Sequence, residues 1–321
     1  MNIRRRILIP MIVLTISCSI AVLVSSILLF NRELDNAMRD KINVAVNVVT
    51  EEIADLKNKA FLAAIAIAKN TDLIEAVLSK DREKIVNVAS SLNEIAPIDY
   101  GTVLDAEGVV IIRTHEPDFY GDNMSHLPHV RSSLEGNTAV FIMQGVTVLL
   151  GVSAGAPIYD NNQNFIGIIS VGFRLNNQEF VHRMSALTGC EISIFRNDEL
   201  ISSTVTNAEG IFVPGIKADE TISRKVLAGE TIIGNVLILG KDTLASYTPL
   251  YGENNVIVGM IFVGFYTEEE TKKIFLFITN GVLITLAVFV FCFILARFIS
   301  GTIELQLNSL QKKLENESTM L

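Results

Sequence analysis

Arg113 and His115 stand one residue apart, and His126, His129 and Arg131 follow them shortly downstream. Arginine presents a planar fork of donors that matches a carboxylate, and histidine adds a donor beside it. If the loop from Glu116 to His129 folds over a neighbouring sheet, these groups converge on a small acid. A second arrangement is open to the same residues, in which Arg113 pairs with Asp118 or Asp122 and fixes that loop. His126 and His129 also have the spacing of two metal ligands one helical turn apart, with His115 or Asp122 as a third. Pro128 between them speaks against a metal, and none is expected. The chain has no G-x-S-x-G, no H-E-x-x-H, no Walker loop and no paired carboxylates of readable geometry. Neither an enzyme activity nor a cofactor is expected.

The residues that must position these groups read as short strands with turns between them, starting at Asp99. TVLDAEGVVIIRT is two strands around a turn at Asp105–Gly108, which puts Arg113 and His115 at the end of the second. SHLPHVRSSLEG reads as a helix carrying His129 and Arg131. AVFIMQ, VTVLLGVSA, APIYD and FIGIISVGF are further strands, and NNQEFVHRMSALTG is a helix closed by Gly189 as its C-cap. A second set follows: EISIFRNDELISST, TIIGNVLILG, LASYTPLY and VIVGMIFVGF. The runs PIYDNNQNFIGIISVGF, from Pro157, and PLYGENNVIVGMIFVGF, from Pro249, align without a gap. The chain therefore builds one module twice, each an antiparallel sheet with helical cover whose last, apolar strand returns through the sheet centre. Gly167 with Gly259, and Gly172 with Gly264, are expected where a side chain would block close backbone approach. In the second module Tyr247, Tyr251 and Arg196 line a second pocket or belong to core and surface.

Two segments, Ile7–Phe30 and Ile274–Ala296, contain no charged residue. Each is long enough to cross a hydrocarbon core of about 30 Å as a helix. The first exceeds the apolar run of a signal peptide and has no A-x-A-like cleavage site, so an uncleaved anchor is expected. Arg4, Arg5 and Arg6 place its start in the cytoplasm and residues 31–273 outside, although Lys272 and Lys273 count against this at the second span. After the first span, Ile42, Val46, Val49, Ile53 and Leu56 form one stripe of a helix about 50 Å long. That stripe meets either its own domain or a second copy of the chain. The 35 acidic against 26 basic residues argue against a nucleic-acid partner. Of the 3 cysteines, Cys18 and Cys292 fall in the apolar segments, so Cys190 has no partner and packed cores must hold the external part.

With the anchor and long helix, the motifs RTHEPDFYGDN, APIYDNNQNFIGIISVGF, LTGCEISIFRNDELISST and YTPLYGENNVIVGMIFVGF resemble the double Cache sensor domains of bacterial transmembrane receptors, methyl-accepting chemotaxis proteins among them. The resemblance covers roughly residues 31–270 and is greatest to the type in which a first module akin to citrate-sensor domains is fused to a second Cache module. It implies an α+β fold: two tandem PAS-like (Cache) modules with a long N-terminal helix, flanked by two transmembrane helices. The implied divisions are a cytoplasmic start at 1–6, a span at 7–30 and stalk and connecting helices at 31–98. A membrane-distal module at 99–175, a membrane-proximal module at 176–273, a span at 274–296 and a cytoplasmic helix at 297–321 complete them. The amino-acid-sensing branch carries Arg-x-Trp-Tyr, and this chain has no tryptophan. Where the resembled branch often has a basic residue before Pro-Ile-Tyr-Asp, this chain has Ser153. The candidate ligand-binding set is Arg113, His115, His129, Arg131 and Ser153.

The resemblance implies a receptor of the inner (plasma) membrane, a homodimer with its sensor domain in the periplasm or outside the cell. It binds a small molecule, an organic acid being the expected class. Output would pass to a chemotaxis assembly, a histidine kinase or a cyclic-dinucleotide enzyme. The tail from Arg297 places Ile303, Leu307, Leu310 and Leu314 at helical spacing, and is too short for a HAMP helix pair and an output domain. The receptor therefore either continues beyond it or signals through a partner. The alternative function is a non-enzymatic ectodomain that docks a partner protein, with no ligand-sized cavity and no grouping of Arg113, His115 and Arg131.

Overall fold

The computed structural model describes residues 3–207 and 209–318. Helix α1 (Ile3–Ala68) is followed by α2 (Thr71–Ser79) and α3 (Arg82–Ile95), and then by β1 (Tyr100–Leu104) and β2 (Val110–Arg113). Helix α4 (Pro128–Leu134) and strands β3 (Ala139–Gln144), β4 (Leu150–Tyr159) and β5 (Phe165–Arg174) complete the first module. The second contains α5 (Gln178–Thr188), β6 (Glu191–Arg196), β7 (Glu199–Ser203) and α6 (Glu220–Val226). It ends with β8 (Ile232–Ile238), β9 (Lys241–Tyr251), a 3-10 turn at Glu253–Asn255 and β10 (Ile257–Tyr266), before α7 (Glu268–Ser318). The chain forms two compact units, Asp40–Tyr266 and the ends Met1–Arg39 with Thr267–Leu321.

Within Asp40–Tyr266 the duplication read from the sequence is a duplication of topology. One sheet runs β2-β1-β5-β4-β3 and the other β7-β6-β10-β9-β8, with antiparallel neighbours throughout. Strands β5 and β10, the two repeated apolar endings, are the central strands. Their middles are buried without interruption, which is why they read as continuous Ile and Val runs rather than as alternation. Gly172 and Gly259 make this crowding possible: a Cβ at Gly172 would collide with Val152 O and the Tyr100 hydroxyl, and one at Gly259 with Phe195 O.

The stripe on α1 is buried within its own unit, through Ile42, Ala45, Val49, Ile53, Leu56, Ala60 and Ile67. Glu52 pairs with Arg183 of α5 at 2.9 Å, and Lys41 lies over the Phe265 ring, so this part of α1 runs along the second module. Gly189 caps α5 in the left-handed conformation, as its position after the last helical turn requires.

Two readings are corrected. VTVLLGVSA and APIYD are not separate strands: Leu150–Tyr159 is one strand, because Ala154, Gly155 and Ala156 are small enough to pass under α4. Val146 and Thr147 belong to the preceding turn, and Val146 is exposed.

Among the described residues, two helices are long and apolar enough to cross a membrane, Ile12–Ala68 and Glu268–Ile303. Among the ends, Phe30 stacks on Phe277 at 4.1 Å. The side chains of Arg4, Arg5, Arg6, Leu307, Leu310 and Leu314 lie outside the described residues, as do Met1 and Asn2.

Candidate functional site

The first module holds a cleft of about 1120 Å³ between its sheet, the loop from Glu116 to Leu127 and the β3–β4 turn. Its floor is polar because alternate residues of adjacent strands point the same way: Tyr100 and Thr102 on β1, Ser170 on β5, Ser153 on β4. The Tyr100 hydroxyl donates to Val152 O at 3.0 Å and lies 2.7 Å from Ser153 Oγ. With its one proton committed to the carbonyl, the phenol oxygen accepts from Ser153. Burial raises the Tyr100 pKa, so the phenol stays protonated.

His129 faces the same floor from α4, whose first position is fixed by Pro128. Its Nε2 is 2.7 Å from Ser170 Oγ, and its Nδ1 is buried without a partner. Burial drives the imidazole pKa down to about 3, so the ring is neutral. His115 packs edge-on against the Tyr100 ring at 5.6 Å and also buries an unpartnered Nδ1. Its pKa is lowered, chiefly by burial and then by Arg174.

Arg113 is committed elsewhere. Its fork grips Asp122 through two bonds of 2.8 and 2.7 Å and donates to Phe119 O at 2.8 Å. The pairing is the loop-fixing arrangement, with Asp122 rather than Asp118, and the guanidinium holds the Asp122 carboxyl below its usual range. Arg82 of α3 adds a bond to Pro117 O at 2.6 Å and covers the Tyr120 ring at 3.8 Å. Thr147 donates to Glu116, so the β3–β4 turn is tied to the same loop. Arg113→Ala is expected to cost about 1.5 kcal/mol, a figure held down by the 40% exposure of Asp122. Hydrogen exchange at Phe119–Asn123 should rise, and Arg113→Lys should not restore it, because an ammonium cannot make the bidentate pair.

The structure brings His115, His129 and Ser153 together, with Arg113 in the wall. It does not bring Arg131: that side chain is exposed and pairs with Glu253 of the second module. The sequence could not fix this direction, since α4 is only 7 residues long and a one-position error in phase turns its side chains by about 100°. Both His126 and His129 line the cleft, His126 exposed and His129 buried. Tyr100, Thr102 and Ser170 were missed; the signal was the polar alternation in Tyr100-Gly101-Thr102 within an apolar strand.

The wall nearest the second module forms a seam. Gln144 lines the cleft and donates from Nε2 to Asn197 Oδ1 at 2.8 Å and Val258 O at 2.7 Å. Arg196 of β6 also lines it and is paired with Glu199. A smaller cavity of about 480 Å³ lies in the second module, with Tyr247 in its wall, whereas Tyr251 is 42% exposed.

Residues 51–183 and 173–275 each match the family described as Single cache domain 3. The chain carries two Cache domains in tandem. This Cache chain is 25% identical over 118 residues to the sensor histidine kinase DpiB of Escherichia coli (strain K12), covering 37% of itself and 21% of DpiB. It is similar to the sensor domain of the V. cholerae histidine kinase DctB, with 15% identity, a TM-score of 0.49 and coverage of 74% and 98%. An extracellular ligand binding receptor from Desulfohalobium retbaense shows 17% identity and a TM-score of 0.47, over 70% of this chain and 40% of that one. The chain thus spans less than half the length of DpiB and of that receptor.

Proposed function

We propose that this chain is a two-span receptor whose first Cache module binds a small, uncharged molecule rich in hydrogen-bonding groups. The observation that carries this reading is the polar floor: a buried Tyr100–Ser153 pair and a buried His129–Ser170 pair, flanked by the buried, unpartnered Nδ1 of His115. A built polar surface in a cleft of this size is what fixes a small ligand's orientation. The organic acid expected from sequence is less well supported. Arg113 is already neutralised by Asp122, Arg131 is turned to Glu253, both histidines are shifted towards the neutral form, and Ser153 carries no charge.

In this reading the receptor sits in an inner (plasma) membrane with its Cache modules outside. It works as a homodimer and hands the signal through α1 and α7 to a cytoplasmic output domain or partner, for chemotaxis or another response. A ligand shifts that equilibrium only by its differential affinity for the two states.

Thermal unfolding of the full chain in lipid nanodiscs, scanned against polyols, amides, nucleobases and dicarboxylates, tests the reading. An uncharged ligand at a hundred times its Kd stabilises the folded state by about 2.7 kcal/mol. The shift should vanish in Ser153→Ala and His115→Ala while the fold persists. A response to dicarboxylates alone would overturn the ligand class. Silence across the panel would favour a domain that docks a partner protein.

A further inference from the structure

We infer that the second module holds a ligand site of its own, for a small uncharged ring-bearing molecule with one hydrogen-bonding group, of the phenol or indole class. The cavity of about 480 Å³ is of ligand size and is walled by Phe195, Tyr247, Phe262, Leu200, Ile222 and Val236. Tyr247 and Phe262 meet edge to face at 5.1 Å, and Phe195 is tilted against Tyr247 at 6.3 Å. Rings set this way offer edges and faces to a further ring.

The polar groups around the cavity are nearly all satisfied from within. Lys217 pairs with Asp198 at 3.1 Å. The Asp219 carboxylate caps α6 by accepting from the Thr221 and Ile222 amides. Ser193 and Ser203 bond to each other at 2.7 Å, and Asn207 Oδ1 accepts from the Glu209 and Ile211 amides. A charged ligand would have to break one of these pairs. The Tyr247 hydroxyl is different: among the described residues it has no hydrogen-bond partner. Burial pushes its pKa up to about 12, so it remains a neutral donor and acceptor. A wall of rings and aliphatic side chains, with the free Tyr247 hydroxyl set among the rings and Thr206 at its edge, selects an uncharged ring carrying a polar group.

Indole is a suitable probe, because the chain contains no tryptophan to obscure its fluorescence. Indole would be titrated into the full chain in phosphatidylcholine nanodiscs, with empty nanodiscs subtracted. Saturable binding with a Kd below about 1 mM is expected. Tyr247→Phe should weaken it about fivefold, the equivalent of one hydrogen bond. Val236→Phe, which fills the cavity from β8, should abolish it without lowering the melting temperature. His115→Ala should leave it unchanged, which separates this site from the first module's cleft. Equal indole uptake by wild type and both second-module variants would overturn the inference. So would a melting temperature lowered by Val236→Phe together with no effect of Tyr247→Phe, since the space would then be closed core. Exclusion of indole by a second copy, seen as protein-concentration-dependent melting, would overturn it as well.

Discussion

Replacing Gly172 by alanine is expected to cost about 3 kcal/mol or more, and to lower the melting temperature by roughly 6–12 °C. The added methyl meets backbone on one side and a buried phenol on the other: Val152 O and Tyr100 Oη both stand where the Cβ must go. Neither neighbour can give way cheaply. Val152 O accepts from Tyr100 Oη at 3.0 Å, and that phenol is held in turn by Ser153. Relief would require β5 to move away from β4 or β1, which breaks the ladder at its centre. Gly234→Ala on β8 is the control, because nothing lies within 4 Å of its added Cβ. Circular-dichroism melts of both variants in nanodiscs decide the matter; equal melting temperatures would mean the central strand is not crowded.

Between pH 6.5 and pH 5 the folded state is expected to lose about 2 kcal/mol through His129 alone. Burial lowers its pKa from the ordinary 6.5 to about 3 in the folded chain. The unfolded chain therefore binds the proton first. Stability is fully present above pH 6.5 and falls as the pH drops, continuing to fall until about pH 3. His115, also lowered by burial, acts in the same direction. The Asp122 carboxyl, held down by Arg113, loses its contribution only below its ordinary value of 3.8, so its window is separate. Melts at pH 7, 6 and 5 should show the decline, and His129→Gln should flatten it. An unchanged slope in that variant would rule His129 out as its source.

The central strands were legible because their information is local. A short continuous Ile and Val run between turn residues, written twice without a gap, reads as a strand buried on both faces, and β5 and β10 are such strands. The Gly189 cap and the turn at Asp105–Gly108 were equally local. The cleft was half legible. Arg113 and His115 announced themselves by type and spacing, but what each touches depends on sheet register. Tyr100 meets Ser153, and His129 meets Ser170, across more than forty residues of chain. No periodicity in either segment encodes that meeting. Arg131 was misplaced for a related reason: its partner Glu253 lies in the other module.

Gln144 belongs to two structures at once, the wall of the first cleft and the seam with the second module. Thermodynamic reciprocity attaches a condition to that double membership. To whatever degree a molecule in the cleft strengthens or loosens the Gln144 bonds to Asn197 and Val258, the state of those bonds must strengthen or loosen the hold on the molecule by the same factor. The first cleft cannot report to its neighbour without also being read by it.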